Sequence, residues 1–163
     1  FRSAVATFYA PSDVCGTNGM TSERIRAVPL WKKQGSRYDT IFVKQSPDNE
    51  TISTGLQVAR ARLFFSFIFQ GEMHKCALIE HYHFLDSMPD EDSGMWTVRP
   101  MYHGRFKVLS IIPISKIYRA SHLLPFFASY TTLPQSLTYD QTLDYFKIFY
   151  VNRYIDYHAF EIA

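Results

Sequence analysis

The chain has 163 residues, 47% hydrophobic and 20% charged, with a net charge of +2. This is room for one domain with its own core, and it excludes both a wholly disordered chain and a globally basic nucleic-acid binder. Aromatic residues reach 17%, with 14 Phe and 11 Tyr, which favours strands around an aromatic-rich core and leaves an aromatic ligand surface as the second reading.

Ala4, Ala6 and Phe8 share one parity, so residues 1–9 predict a short strand or a helical turn. Ala10 to Thr21 is dense in turn formers and reads as a surface loop. Ser22 to Ala27 predicts one helical turn, followed by Pro29, Trp31 and a basic run. Arg24, Arg26, Lys32, Lys33, Arg37 and Lys44 stand against only Glu23 and Asp39 in this stretch. Cations interleaved with Trp31 and Tyr38 suit a phosphate backbone and stacked bases. The alternative is a solvated loop that packs Trp31 inward while its lysines stay wet. Arg24, Arg26, Trp31, Lys32, Lys33 and Arg37 are therefore the candidate nucleic-acid contacts.

Tyr38 to Ser46 alternates as a strand and is ended by Pro47-Asp48-Asn49. From Val58 to Phe69, the residues Ala59, Ala61, Leu63, Phe65, Phe67 and Phe69 fall on one side and Arg60, Arg62 and Ser66 on the other, the signal of a half-buried strand. His74 to Leu85 repeats the spacing with Cys76, Leu78, Tyr82 and Phe84, and Gln70-Gly71-Glu72 between them predicts a tight hairpin. A loop at Gln70-Gly71 sets Leu63 opposite Leu78 and Phe65 opposite Cys76; a loop at Gly71-Glu72 sets Phe65 opposite Leu78. The rest of the chain is expected to wrap this hairpin.

Asp86 to Gly94 is acidic and turn-prone and reads as the most flexible loop, without the ligand pattern of a calcium loop. Met95–Arg99 and Phe106–Ile112 predict strands stopped by Pro100 and Pro113, and residues 114–125 are expected to close the sheet. Thr138 with Gln141 forms a capping box, and Leu143, Phe146, Phe149 and Tyr150 share a helical stripe, predicting a helix from Tyr139 to Asn152. The fold class is mainly β (α+β): a small, partly open SH3-like barrel of five to seven strands with a C-terminal helix.

Little in the chain points to chemistry. His81 and His83 share a strand face near His74 and Cys76, but His103, His122 and His158 are scattered, so four convergent zinc ligands are not assembled. The carboxylates Asp39, Asp86, Asp90, Asp92, Asp140, Asp144 and Asp156 offer no strand-borne pair for a two-metal site. Neither a nucleophile elbow nor a phosphate-binding glycine loop is present. Hence no catalytic residue, metal or cofactor is assigned, and the chain is not read as an enzyme. Tyr82, Phe84 and Trp96 could wall an aromatic cage for a methylated lysine or another peptide, against a core role. Cys15 and Cys76 are too few for a disulfide framework and fit a reducing setting, nuclear or cytoplasmic, and without a signal peptide the sequon Asn49-Glu50-Thr51 reads as a chance match. No apolar run approaches the ~20 residues of a membrane helix. The chain starts at Phe1 without Met, so residues 1–163 read as one β-rich domain cut from a longer protein.

Several segments carry a family resemblance: Phe8-Tyr9-Ala10-Pro11-Ser12-Asp13, Glu23-Arg24-Ile25-Arg26-Ala27, Arg37-Tyr38-Asp39-Thr40, Leu63-Phe64-Phe65-Ser66-Phe67, Pro89 to Trp96, Ile117 to Pro125, and Phe149 to Tyr154 with His158. Together they resemble the C-terminal region of Plavaka-type DNA transposases of mushroom-forming fungi, over nearly the whole chain. The chain departs from that pattern at Ile79-Glu80-His81-Tyr82-His83. The resemblance implies a non-catalytic accessory module of a transposon-encoded protein, nuclear, in contact with DNA or a chromatin protein, with an RNase H-like acidic triad upstream and none of its acids here. The alternatives are a peptide-binding module or a degenerate relic of such an element. The order of strands is also similar to bromo-adjacent-homology (BAH) modules, small distorted barrels of chromatin proteins, a likeness at the level of fold.

Overall fold

Ala6 and Phe8 are buried because β1 (Ser3–Tyr9) lies against a larger sheet, and β1 pairs residue for residue with β2 (Met20–Trp31), from Ser3 opposite Arg26 to Tyr9 opposite Met20. The computed structural model describes residues 1–12, 17–45, 55–128 and 132–163. Cys15, the Pro47-Asp48-Asn49 turn and the Asn49-Glu50-Thr51 sequon lie outside the described residues. The helical turn expected over Ser22–Ala27 is part of β2 instead: Ser22 to Arg26 pair with β1, and from Ala27 onward the strand pairs with β3 (Gly35–Tyr38).

A corner at Asp39 divides the strand expected over Tyr38–Ser46 into β3 and β4 (Thr40–Lys44), in which Thr40 to Val43 are all buried. The long hairpin follows, β5 (Leu56–Phe69) and β6 (Glu72–Phe84). Gln70 and Gly71 both have positive φ, 50° and 82°, the two-residue turn whose twist matches the strands it joins. Leu63 accordingly faces Leu78 and Phe65 faces Cys76, the first of the two expected registers.

The predicted core face of β5 holds only through Ala61. The register shifts between Ala61 and Leu63, and this bulge moves the next apolar side chains to the opposite face. Phe64 is 2% exposed, whereas Leu63, Phe67 and Phe69 stand 45%, 47% and 58% exposed. The arms outrun the strands that cover them, leaving the tip uncovered.

β7 (Thr97–Pro100), β8 (Tyr102–His103), β9 (Phe106–Lys107) and β10 (Leu109–Pro113) follow, then a 3-10 turn at Ile114–Lys116, β11 (Ile117–Ala120) and β12 (Leu123–Pro125). The expected helix over Tyr139–Asn152 is corrected. A 3-10 turn at Tyr139–Gln141 and the short α1 (Thr142–Tyr145) stop at Phe146, whose backbone is extended. Phe149–Val151 is then a strand, β13, held between β7 and β12. Gln141 Oε1 accepts from Thr138 N–H at 3.4 Å, so the start signal was real, but the β-favouring run Phe149-Tyr150-Val151 completes a ladder in place of a stripe. The C-terminal helix is α2 (Tyr157–Ile162), capped by Asp156, whose carboxylate accepts from Ala159 N–H at 2.7 Å.

The fold is mainly β, with more strands than expected. Eight of them form a sheet that curls into a half-barrel, in the order β11-β4-β5-β6-β7-β13-β12 with β10 also on β6. Strands β11 and β12, consecutive in the chain, are its two outer edges and do not pair with each other, so residues 114–125 join the edges of the sheet but do not close it as expected. Ile41, Ala59, Phe64 and Ile79 on one face pack with Ala6, Ile25 and Ala27 of the three-stranded β1-β2-β3 sheet. Phe42, Val58, Tyr82, Phe146, Phe149 and Val151 pack on the other face under the C-terminal segment.

Candidate nucleic-acid interface

The β2–β3 ribbon ends in a turn at Lys32 and Lys33, whose φ values of 49° and 62° are unusual for side-chain-bearing residues, and Gln34 N–H donates to Trp31 O at 3.0 Å. Both lysines are exposed at this tip. Trp31, just before the turn, is half-buried and ringed by cations. The Arg26 guanidinium carbon stands 4.4 Å over the ring centroid, Arg37 5.6 Å and Lys32 Nζ 5.7 Å. Each is an attractive contact with the ring's negative face and orders a side chain that water would otherwise leave mobile.

Asp39 fixes the ribbon at its other end. Its Oδ2 accepts from Arg26 N–H at 2.8 Å, and its Oδ1 accepts from Arg37 Nε at 2.7 Å. Arg24 Nη1 donates to Ser3 Oγ at 3.2 Å, which carries the cationic surface from β2 onto β1. On this side of Trp31 lies a cleft of about 400 Å³ lined by Arg2, Arg24, Arg26 and Lys32 with Ser3, Val28, Leu30 and Trp31. Four cations and no carboxylate line it.

Of the six residues singled out in sequence, Arg24, Arg26, Trp31 and Lys32 thus meet at one cleft. Arg37 lies on the other side of Trp31, in a second cleft of about 440 Å³ where Asp39 and Asp140 offset Lys32, Arg37 and Arg60. Thr138 Oγ1 donates to Asp140 and holds its carboxyl below the usual value, so that cleft keeps a mixed charge. Lys33 lines neither cleft and projects from the turn. Arg2 was missed. It reaches the site through the pairing of Ser3 with Arg26, a contact between residues far apart in the chain.

Tyr82, Phe84 and Trp96 do not form an open cage. Tyr82 is fully buried, edge-on to Phe149 at 6.1 Å, while Phe84 and Trp96 pack edge-to-face on each other at 5.5 Å. Burial pushes the Tyr82 hydroxyl strongly up, so it stays neutral. These rings belong to the core under the C-terminal segment.

The histidines serve separate local bonds. His81 Nε2 is 2.6 Å from Ser110 Oγ, His83 Nε2 accepts from Arg99 Nε at 2.6 Å, and His158 Nδ1 is 3.1 Å from Arg119 Nη1. Burial lowers the pKa of His81, and burial together with Arg99 lowers that of His83. Among the described residues, no group of three or more His, Cys, Asp and Glu side chains is placed to hold a metal ion. The acidic loop at Asp86–Gly94 is tied down rather than free. Asp90 accepts from Ser93, Tyr154 Oη donates to Ser93 O at 2.6 Å, and Arg153 Nη1 donates to Gly94 O at 3.0 Å.

The fold and this site together define a mainly β domain with a cationic groove built around one tryptophan. Comparison with models of known protein families, with curated proteins and with solved structures finds no match to this chain. No helix among the described residues is long and apolar enough to cross a membrane.

Proposed function

We propose that the chain is a non-catalytic accessory module of a transposon-encoded protein that acts in the nucleus by gripping the phosphate backbone of DNA. The observation that carries this reading is the cleft of Arg2, Arg24, Arg26 and Lys32 beside Trp31, with no carboxylate among its lining residues. Phosphates require charge, and a guanidinium fork meets two phosphate oxygens at once. The resemblance to transposase C-terminal regions supplies the biological setting.

The placement of Arg26 favours backbone contact over base stacking. With its guanidinium 4.4 Å over the Trp31 ring, that ring face is already occupied and is not free for an unpaired base. Duplex and single-stranded DNA should therefore bind comparably per phosphate, with no premium for exposed bases. A gel-shift titration on both substrates tests this. Binding that weakens as salt rises and drops on Lys32→Glu with Lys33→Glu supports the reading; absent or salt-insensitive binding removes it.

A further inference from the structure

A third cleft, sharing no lining residue with the cationic groove beside Trp31, lies where the sheet meets the C-terminal segment. His83 of β6, Arg99 and Pro100 of β7 and Tyr102 of β8 form one side, and Leu143, Asp144, Tyr145, Phe146 and Lys147 the other. Its volume of about 510 Å³ lies within the range of small-ligand sites. Pro100 and Phe146 are buried and give it an apolar lining, while Tyr102 is exposed at its rim.

The charge balance favours an anion. Arg60 and Lys107 already hold Asp144, the one carboxylate in the lining, with Arg60 Nη1 3.0 Å from both of its oxygens and Lys107 Nζ 2.8 Å from Oδ1. Arg99 and Lys147 have no carboxylate partner among the described residues. His83 engages Arg99 through Nε alone, which fixes the planar fork and leaves its two Nη groups for a ligand. We infer that this cleft binds a small organic oxyanion, a phosphate or carboxylate carried on a flat apolar body, with Arg99 and Lys147 holding the charge and the Pro100–Phe146 lining covering the body.

Phenyl phosphate and phenylacetate are suitable probes, titrated separately into the isotope-labelled chain and followed by amide chemical shifts. One or both should move amides around His83, Arg99, Tyr102 and Tyr145 saturably, and the relative affinity tells a phosphate-bearing source from a carboxylate-bearing one. Benzyl alcohol, with the same ring and no charge, should bind about tenfold more weakly or worse. Arg99→Gln and Lys147→Gln should each weaken the anion about tenfold. Lys147 is exposed, so its variant decides the matter even if Arg99→Gln perturbs folding. Failure of both anions to shift these amides, equal binding of benzyl alcohol, or unchanged affinity in Lys147→Gln overturns the inference. None of these results bears on DNA binding at Trp31.

Discussion

Arg60, only 2% exposed, donates through Nη1 to both carboxylate oxygens of Asp144 at 3.0 Å, joining β5 to α1. Lys107 Nζ reaches Asp144 Oδ1 at 2.8 Å and stands 2.8 Å from buried Glu80 Oε1, an ion-pair contact outside hydrogen-bond angles. Arg62 approaches Glu80 from the other side at 3.7 Å. Charges so placed cannot be removed one at a time without stranding a partner in the interior. Asp144→Asn should destabilise the fold by about 2 kcal/mol, less than a fully buried pair because this carboxylate is half-exposed, as read from urea unfolding midpoints.

Acid should act on Glu23 and Asp156 with opposite signs. Burial raises the Glu23 carboxyl above its ordinary 4.5, despite the Ala120 N–H that donates to it and the nearby Arg119, so its ionised form costs stability at neutral pH. That cost is relieved as pH falls through its raised value towards 4.5. Asp156 behaves oppositely. Two hydrogen bonds from Arg119, at 2.6 and 2.9 Å, hold its carboxyl below 3.8, so its stabilisation is complete above 3.8 and lost as pH falls further. For Asp144, burial pushes up, but Lys107 and Arg60 together outweigh it and hold the group low, with the same sign as Asp156. Burial holds the imidazoles of His81, His83 and His122 below their ordinary 6.5, so each costs stability as pH falls below that value and opposes the relief at Glu23. In unfolding free energy measured against pH, Glu23→Gln should therefore lose more stability than the native chain between neutral pH and 4.5, and Asp156→Asn less below 3.8.

The bulge in β5 makes neighbouring residues unequal. Phe64 fills the core between the two sheets, whereas Leu63 stands on the uncovered face. Phe64→Ala should cost about 3–5 kcal/mol and Leu63→Ala about 1 kcal/mol or less in chemical denaturation. Equal losses would mean that the strand keeps a continuous alternation.

At the hairpin turn, Gly71 holds φ at 82° and Gln70 at 50°. Gly71→Ala should destabilise by about 1 kcal/mol, whereas Gln70→Asn, which tolerates the left-handed region better, should stabilise by roughly 0.5 kcal/mol. Thermal unfolding of the two variants checks both signs.

Parts of this architecture were legible in the sequence because they rest on local signals. The period of two on either side of Gln70-Gly71-Glu72 made the hairpin legible and narrowed its pairing to two registers, and the turn at Gln70 and Gly71 selects the one with Leu63 opposite Leu78. The bulge was not legible, because it follows from which strands cover β5 rather than from any residue beside Arg62. Leu143, Phe146 and Phe149 fit a helical stripe, yet Phe149-Tyr150-Val151 also suits a strand, and the open places beside β7 and β12 decided between them. Asp156 ahead of Tyr157-His158-Ala159 is a start signal for α2 that the sequence carries locally. At the interface, the cationic bias around Trp31 was visible as composition, but Arg2 joins it only through the register of β1 with β2, and the burial of Tyr82 depends on β13.

The most direct test of the account is the salt dependence of duplex DNA affinity, compared between the native chain and the Arg24→Gln, Arg26→Gln double variant. Each phosphate contact contributes about 0.9 to the slope of log affinity against log salt. If Arg24 and Arg26 grip phosphates, the double variant should reduce the magnitude of that slope by about 2 and weaken binding alike on unrelated sequences. An unchanged slope, with the variant folded as judged by circular dichroism, would contradict the account.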